Sequence, residues 1–343
     1  MEILHVIWFA ALAFLWTGYL VLDGFDLGVG MRIWLRGRTE KQKRLMLNTI
    51  GPVWDGNEVW LITAGAGTFA AFPMWYAGLF SSLYIPLTVV LMALIFRAVS
   101  IEYRGKGHTD RWRANWDRAL GLGSAVIAFG IGAMLASTTL GLPIDANGDR
   151  VGGPFVWLSW YAVLGGLAVL GFSWIHGAAF LALKASGQVR TDALLAVRRW
   201  LPVAVAPLVV WVLVVQVRYG SPWTWAAVVV AVVALAGSWL AARADRDGWT
   251  FALLAAFLVA GAVSIFAAVF PVVLPSTVDP AHDLTVSNAS SGDYALTIMT
   301  WVAGIALPLI LVYQAWSYWT FRRRLSEDHI PEGHEVLPAV LPR

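Results

Sequence analysis

Residues 51–62, GPVWDGNEVWLI, hold two carboxylates, Asp55 and Glu58, three positions apart among tryptophans, at the head of the apolar run TAGAGTFAAF. Side chains three apart share one face of a helix. A second pair with the same spacing, Asp23 and Asp26, lies in DGFDLGVG (23–30). A carboxylate withdrawn from water holds a proton more readily than a solvated one, and a neighbouring carboxylate adds to the effect. Such pairs can take up and release protons. A structural role is as open for any single acid. Asp55 and Glu58 have the spacing of a capping box, and Asp23 and Asp26 have Arg32 or Arg97 as possible ion-pair partners.

The elements that carry these acids are apolar. Of 343 residues, 59% are hydrophobic and 13% are charged, against roughly 25% charged in soluble domains. Twenty tryptophans suit a chain with two membrane–water boundaries. The expected fold is an all-α integral membrane protein. A span needs about 20 largely apolar residues. Nine stretches approach this: 4–22, 54–72, 76–96, 119–140, 156–183, 200–217, 223–242, 251–274 and 294–320. The sixth and seventh are divided only by RYGSP.

Lys and Arg alternate between the connections. Of the 24, 22 fall in the segments after spans 1, 3, 5 and 7 and in the tail. Basic loops stay cytoplasmic during insertion. The pattern predicts nine transmembrane helices, the N-terminus outside and the C-terminus cytoplasmic. It also accounts for the net charge of +3 without nucleic-acid binding. Residues 1–325 read as one membrane domain and 326–343 as a polar, loosely ordered cytoplasmic tail. This topology puts Asp23, Asp26, Asp55 and Glu58 at a similar depth near the cytoplasmic side. Span 3 ends there in FRAVSIEYRGK, adding Arg97, Glu102 and Lys106. An ionised Asp at mid-bilayer costs around 2.5–3.5 kcal/mol on insertion scales, so these acids are expected to face protein or water, or to carry protons. Gly24, Gly28 and Gly30 are expected to permit close helix approach.

Other chemistries find little support. There are no cysteines, which excludes disulfides and thiolate-held clusters. Of six histidines (His5, His108, His176, His282, His329, His334), only His176 lies well inside a span. No pair has ligand spacing on one helix, so no bis-histidine haem or metal site is expected. His176 is expected to be a hydrogen-bonded core residue. DPAHD reads as a solvated external loop, and the NAS triplet at 288–290 carries no weight.

DGFDLGVG followed by IGPVWDGNEVWLITAGAGTFAAFP (50–73) resembles subunit II of the cytochrome bd-type quinol oxidases. FRAVSIEYRGK, HGAAFLALK and STVDPAHDLTVSNASSGDYALTIMTWVA (276–303) resemble the same family, in the same order, over nearly the whole chain. The resemblance implies a nine-helix subunit packed beside subunit I in a heterodimer, with small accessory subunits as further partners, in the bacterial cytoplasmic membrane. It implies an oxidoreductase complex that oxidises quinol and reduces dioxygen to water with cytoplasmic protons. Two b-type haems and one d-type haem would sit in subunit I. This chain would ligate none of them, though in some members it holds a bound quinone or lines a proton route.

By motif, the proton-path candidates are Asp55 first, then Glu102, with Lys106, Asp26, Asp23 and Glu58; Trp54, Asn57 and Arg97 complete the structural motif. Glu58 stands where the family also uses Gln, and Glu102 where some relatives have Asp. A proton-coupled secondary transporter is the alternative, since it too would bury acids, although the broken-helix repeats common in transporters are not evident here. A pure scaffold with every acid capped or paired is the third reading.

Overall fold

The computed structural model describes residues 3–107 and 109–331. His108 and His334, and the part of the expected tail beyond residue 331, lie outside the described residues. The described residues form eleven α-helices: α1 (Ile3–Arg36), α2 (Glu40–Ile50), α3 (Trp54–Ala71), α4 (Pro73–Ser82), α5 (Tyr84–Tyr103), α6 (Asp110–Leu140), α7 (Trp160–Lys184), α8 (Gly187–Tyr219), α9 (Pro222–Arg243), α10 (Asp247–Val269) and α11 (Asp293–Thr320). Eight of them, α1 and α5 to α11, are long and apolar enough to cross a membrane. The protein is a multi-pass, mostly helical membrane protein.

Several boundaries differ from the sequence reading. The first span does not stop before the acidic motif; α1 continues through DGFDLGVG to Arg36. The expected second span corresponds to α3, whose 18 residues open with Trp-Asp-Gly-Asn-Glu. Those polar residues keep it out of the eight that qualify by apolarity. The expected third span, 76–96, is two helices. Pro73 starts α4, as proline does best at a first helical position, and the helix ends at Ser82 before α5 begins. The sixth and seventh spans are separate helices, α8 and α9, with Ser221 capping the second.

The described residues fit the expected all-α class, with one short β element beside the helices. Outside the helices, β1 (Val272–Leu274) and β2 (Leu284–Thr285) pair antiparallel, Val272 opposite Thr285 and Leu274 opposite Leu284. This ribbon lies in the long polar connection before α11. The described part of the expected loose tail, 326–331, packs against the bundle: Ile330 is buried, and Arg44 of α2 donates to the Pro331 carbonyl at 3.0 Å.

Small residues set the centre of the bundle. A Cβ on Gly28 would fall 1.9 Å from the Ser173 carbonyl, and one on Gly177 would fall 2.5 Å from the Gly28 carbonyl carbon. Helices α1 and α7 therefore meet backbone to backbone at this level, which only glycine allows. Gly30 is tight against Ser124 of α6, whereas Gly24 has ordinary space, its nearest neighbour 3.7 Å away. The acids of α1 are thus held at a fixed depth by packing on the opposite side of their helix. At the other extreme, only 6% of the apolar window of α11 is buried.

Candidate functional site

The acidic motifs meet where α1, α3 and α5 come together. Asp23 and Asp26 share the face of α1 one turn beyond Tyr19, and all three are buried. Helix α3 buries one stripe: Asn57, Trp60, Ala64, Thr68 and Ala71, at helical spacing. Arg97, on the buried side of α5, is fully enclosed and closes the cluster.

The geometry centres on that arginine. Its Nη2 donates to Asp23 Oδ1 at 2.8 Å and its Nη1 to Glu58 Oε2 at 2.6 Å. The Trp54 ring lies 6.0 Å from its guanidinium carbon, at the outer limit of a cation–π contact. Asp26 is held separately, its Oδ2 accepting from Asn57 Nδ2 at 2.7 Å. Asn57 Oδ1 accepts from Gln314 Nε2 and from the Tyr318 hydroxyl, each at 2.8 Å. Gln314 Oε1 in turn accepts from Trp60 Nε1 at 3.1 Å. Three helices distant in sequence, α1, α3 and α11, are thus tied through one amide. Asp23 Oδ2, Asp26 Oδ1, Arg97 Nε and the Tyr19 hydroxyl are buried without a hydrogen-bond partner.

The candidate residues therefore separate into two groups. Asp23, Asp26, Glu58, Asn57 and Arg97 lie together in the interior as two neighbouring bonded sets, Asp23–Arg97–Glu58 and Asp26–Asn57. Asp55, Glu102 and Lys106 are exposed on this chain, and Lys106 lies over the Tyr103 ring at 4.0 Å. Asp55 heads an outward stripe of α3 that includes Val59, Ile62 and Phe69, all exposed, yet it is near enough to Glu58 to repel it. Asp55 does not cap its helix; Val53 stands at that position without a side-chain bond, and Glu58 turns to Arg97 instead. Arg97 rather than Arg32 is the partner of Asp23.

Sequence reading missed Tyr19, Gln314 and Tyr318. For Tyr19 a signal existed, since it lies four residues before Asp23 on one helix face. Gln314 and Tyr318 had none, because their contact to Asn57 spans more than 250 residues. A second polar cluster was also unanticipated. Arg104 forks onto Glu40 with two bonds of 2.8 Å and also bonds Asp117, which accepts from Lys43 at 3.0 Å, joining α2 and α6 to the end of α5.

His176 behaves as a core residue. Its Nε2 is 3.0 Å from the Val21 carbonyl, and its ring stacks on Phe172 and Phe251 at 4.8 and 4.7 Å. Among the described residues no group of three or more His, Cys, Asp or Glu is placed to hold a metal ion.

The comparisons with known proteins decide the family. The sequence profile described as "Cytochrome bd terminal oxidase subunit II" matches residues 4–321. The chain belongs to that family. Among its relatives, "Cytochrome bd ubiquinol oxidase subunit 2" of Bacillus subtilis (strain 168) is 37% identical over 332 residues, covering 95% of this chain and 98% of the relative. "Cytochrome bd-I ubiquinol oxidase subunit 2" of Escherichia coli (strain K12) is 34% identical over 374 residues, covering 98% and 99%. The fold matches a chain of the bd oxidase from Geobacillus thermodenitrificans with a TM-score of 0.75 at 21% identity, covering 93% of this chain and 99% of that one. Members of this family are subunits of a haem-carrying oxidoreductase complex, the bd-type terminal oxidase, and this subunit II chain implies a partner subunit I.

Proposed function

We propose that this chain is the subunit of a quinol:dioxygen oxidoreductase that ligates no haem, supports the haem-bearing subunit I, and offers protons a route from the cytoplasm through its buried carboxylates. Its nine helical crossings, counting α3, would place the N-terminus outside and the C-terminus in the cytoplasm of a bacterial cell, as the distribution of Lys and Arg favours. The observation that carries the proton route is the charge balance of the interior site. Three carboxylates, Asp23, Asp26 and Glu58, gather around one guanidinium, Arg97. Charges this deep must be matched. Protons on the surplus acids match them, and a proton held between such acids is one that can move. Glu58 is the member closest to the surface, its side chain 17% exposed, and Asp55 stands beside it on the outward stripe. Protons would enter by Asp55 and Glu102 and pass inward by Glu58 and Asp23 to Asp26.

Subunit I would dock on the bare flanks of α11 and α5, of whose apolar windows only 6% and 22% are buried, and on the outward stripe of α3, which is bonded to α5 through Glu58 and Arg97. Among the described histidines, the buried His176 does not suit haem ligation, because it is committed to Val21 and clamped between aromatic rings. Nor does the enclosed apolar cavity near Trp211 and Phe172 suit a quinone ring, having an interior volume of only about 40 Å³. No step of the reaction is assigned to either group on this chain.

The Asp55→Asn variant of the assembled oxidase tests the route. Quinol-driven oxygen consumption should fall while the visible haem spectrum is unchanged. Loss of both would make Asp55 structural, and no change in either would remove it from the route. Asp26→Asn, assayed in the same way, tests the inner end. If the chain purified as a colourless homo-oligomer without a haem partner, the transporter reading would replace this one.

A further inference from the structure

The end of the bundle where α1 finishes carries a polar groove of about 480 Å³ between α1 and α8. Its floor is Arg32, only 3% exposed. Arg32 donates Nε to the Trp174 carbonyl at 3.2 Å, and its guanidinium lies 4.3 Å from the centre of the Trp174 ring. Neither contact carries a full opposing charge. Its Nη2 is buried and makes no hydrogen bond. Among the described residues no carboxylate lies within 4.0 Å of Arg32. Asp192, in the groove wall, is engaged by Arg38 at 3.6 Å and by Gln188 at 2.7 Å. Arg36, one turn along α1, and Arg199 on α8 line the same groove and add positive charge. A buried cation with further cations around it is costly unless an anion joins them.

The chemistry of that anion follows from the donors. Planar guanidinium groups recognise phosphate oxygens in pairs. The surroundings identify the source of the phosphate. Leu35, Leu195 and Trp200 line the groove and are 53%, 58% and 42% exposed. Arginines at the level of the head groups with apolar side chains beside them match a lipid, its phosphate in the groove and its acyl chains along the bundle. We propose that this groove binds the phosphodiester of an anionic phospholipid, with Arg32 beneath it and Arg36 and Arg199 at the rim. The site is separate from the Arg97 cluster, and the proposal is independent of the proton route.

Native mass spectrometry of the purified oxidase complex tests it, with phosphatidylglycerol as the probe and phosphatidylcholine and inorganic phosphate as comparisons. The unmodified complex should retain one more phosphatidylglycerol than the rim variant Arg36→Gln/Arg199→Gln. That variant should bind the lipid on the order of tenfold more weakly, and phosphatidylcholine should not compete. Arg32→Gln should act in the same direction; should it fail to assemble, the rim variant alone decides. Equal retention by the rim variant and the unmodified complex would overturn the proposal. So would displacement of the lipid by millimolar inorganic phosphate, which would make the groove a free-phosphate site.

Discussion

Arg97 holds Asp23 and Glu58 at once, so its removal strands two carboxylates in the interior of the bundle. Breaking a buried pair from one side costs about 3–5 kcal/mol, most of it from the charge left behind. Arg97→Gln should therefore lower the thermal midpoint of the complex markedly, measured by loss of soluble assembled protein on heating. Adding Asp23→Asn should restore part of the loss, because the second change removes one of the stranded charges. At Asn57, replacement by Leu removes the amide that Asp26, Gln314 and Tyr318 share. The expected result is weaker attachment of α11, seen as faster proteolysis after Thr320, with oxygen consumption reduced in parallel. These residues show how far the sequence could be read. Acidic spacing and the availability of Arg97 were visible along the chain, and Asp23 meets that arginine. Which acid faces inward was not, because the outward stripe of α3 (Val59, Ile62, Phe69) is as apolar as its buried one, and in a membrane helix apolarity does not mark the buried face. Asp55 and Glu58 look alike in sequence, yet a rotation of three residues sends one to the outer stripe and the other to Arg97.

Among the elements, α1 and α7 depend on their crossing. A methyl group on Gly28 would collide with the backbone of α7, whereas one on Gly24 would meet nothing closer than 3.7 Å. Gly28→Ala should destabilise by about 1–3 kcal/mol, the usual cost of overpacking, and Gly24→Ala should be close to neutral. Comparison of their thermal midpoints checks the pair, and equal effects would contradict the packing described. Gly28 and Gly30 were legible as close-contact residues, but Gly24, read the same way, has ordinary space, a distinction that required the partner helix. The break between α4 and α5 was less legible still. A hydropathy window averages over Ser81 and Ser82 and sees one apolar run, while Pro73 marks only where the first piece begins.

For the whole molecule, the arrangement of the basic connections can be tested directly. The chain has no native cysteines, so an introduced one is a unique label. Asp149→Cys, in the exposed turn after α6, should react with a membrane-impermeant maleimide on intact cells. Arg111→Cys, at the start of the same helix, should react only after the membrane is opened. The reverse result would invert the assignment of sides. Eight described helices qualify as spans by length and apolarity against the nine expected, but their helical character was readable because each crossing must satisfy its own backbone in lipid. The antiparallel ribbon of β1 and β2 was not, being two short strands within a polar stretch.

The least enclosed helix is also fastened at several levels. Trp8 donates to Thr300 at 3.0 Å, Ser291 reaches the carbonyls of Ala70 and Ala71, and Gln314 and Tyr318 join Asn57. Past its end, the Leu325 amide donates to the Lys184 carbonyl at 2.9 Å, and Lys184 Nζ donates to the Arg323 carbonyl. During synthesis this helix leaves the ribosome after every partner that grips it. Until then the amide of Asn57 and the ammonium of Lys184 must wait for their acceptors or donors in a half-built bundle. A nascent chain halted near residue 290 should accordingly be an early substrate for membrane quality-control proteases, although its first ten helices are already made.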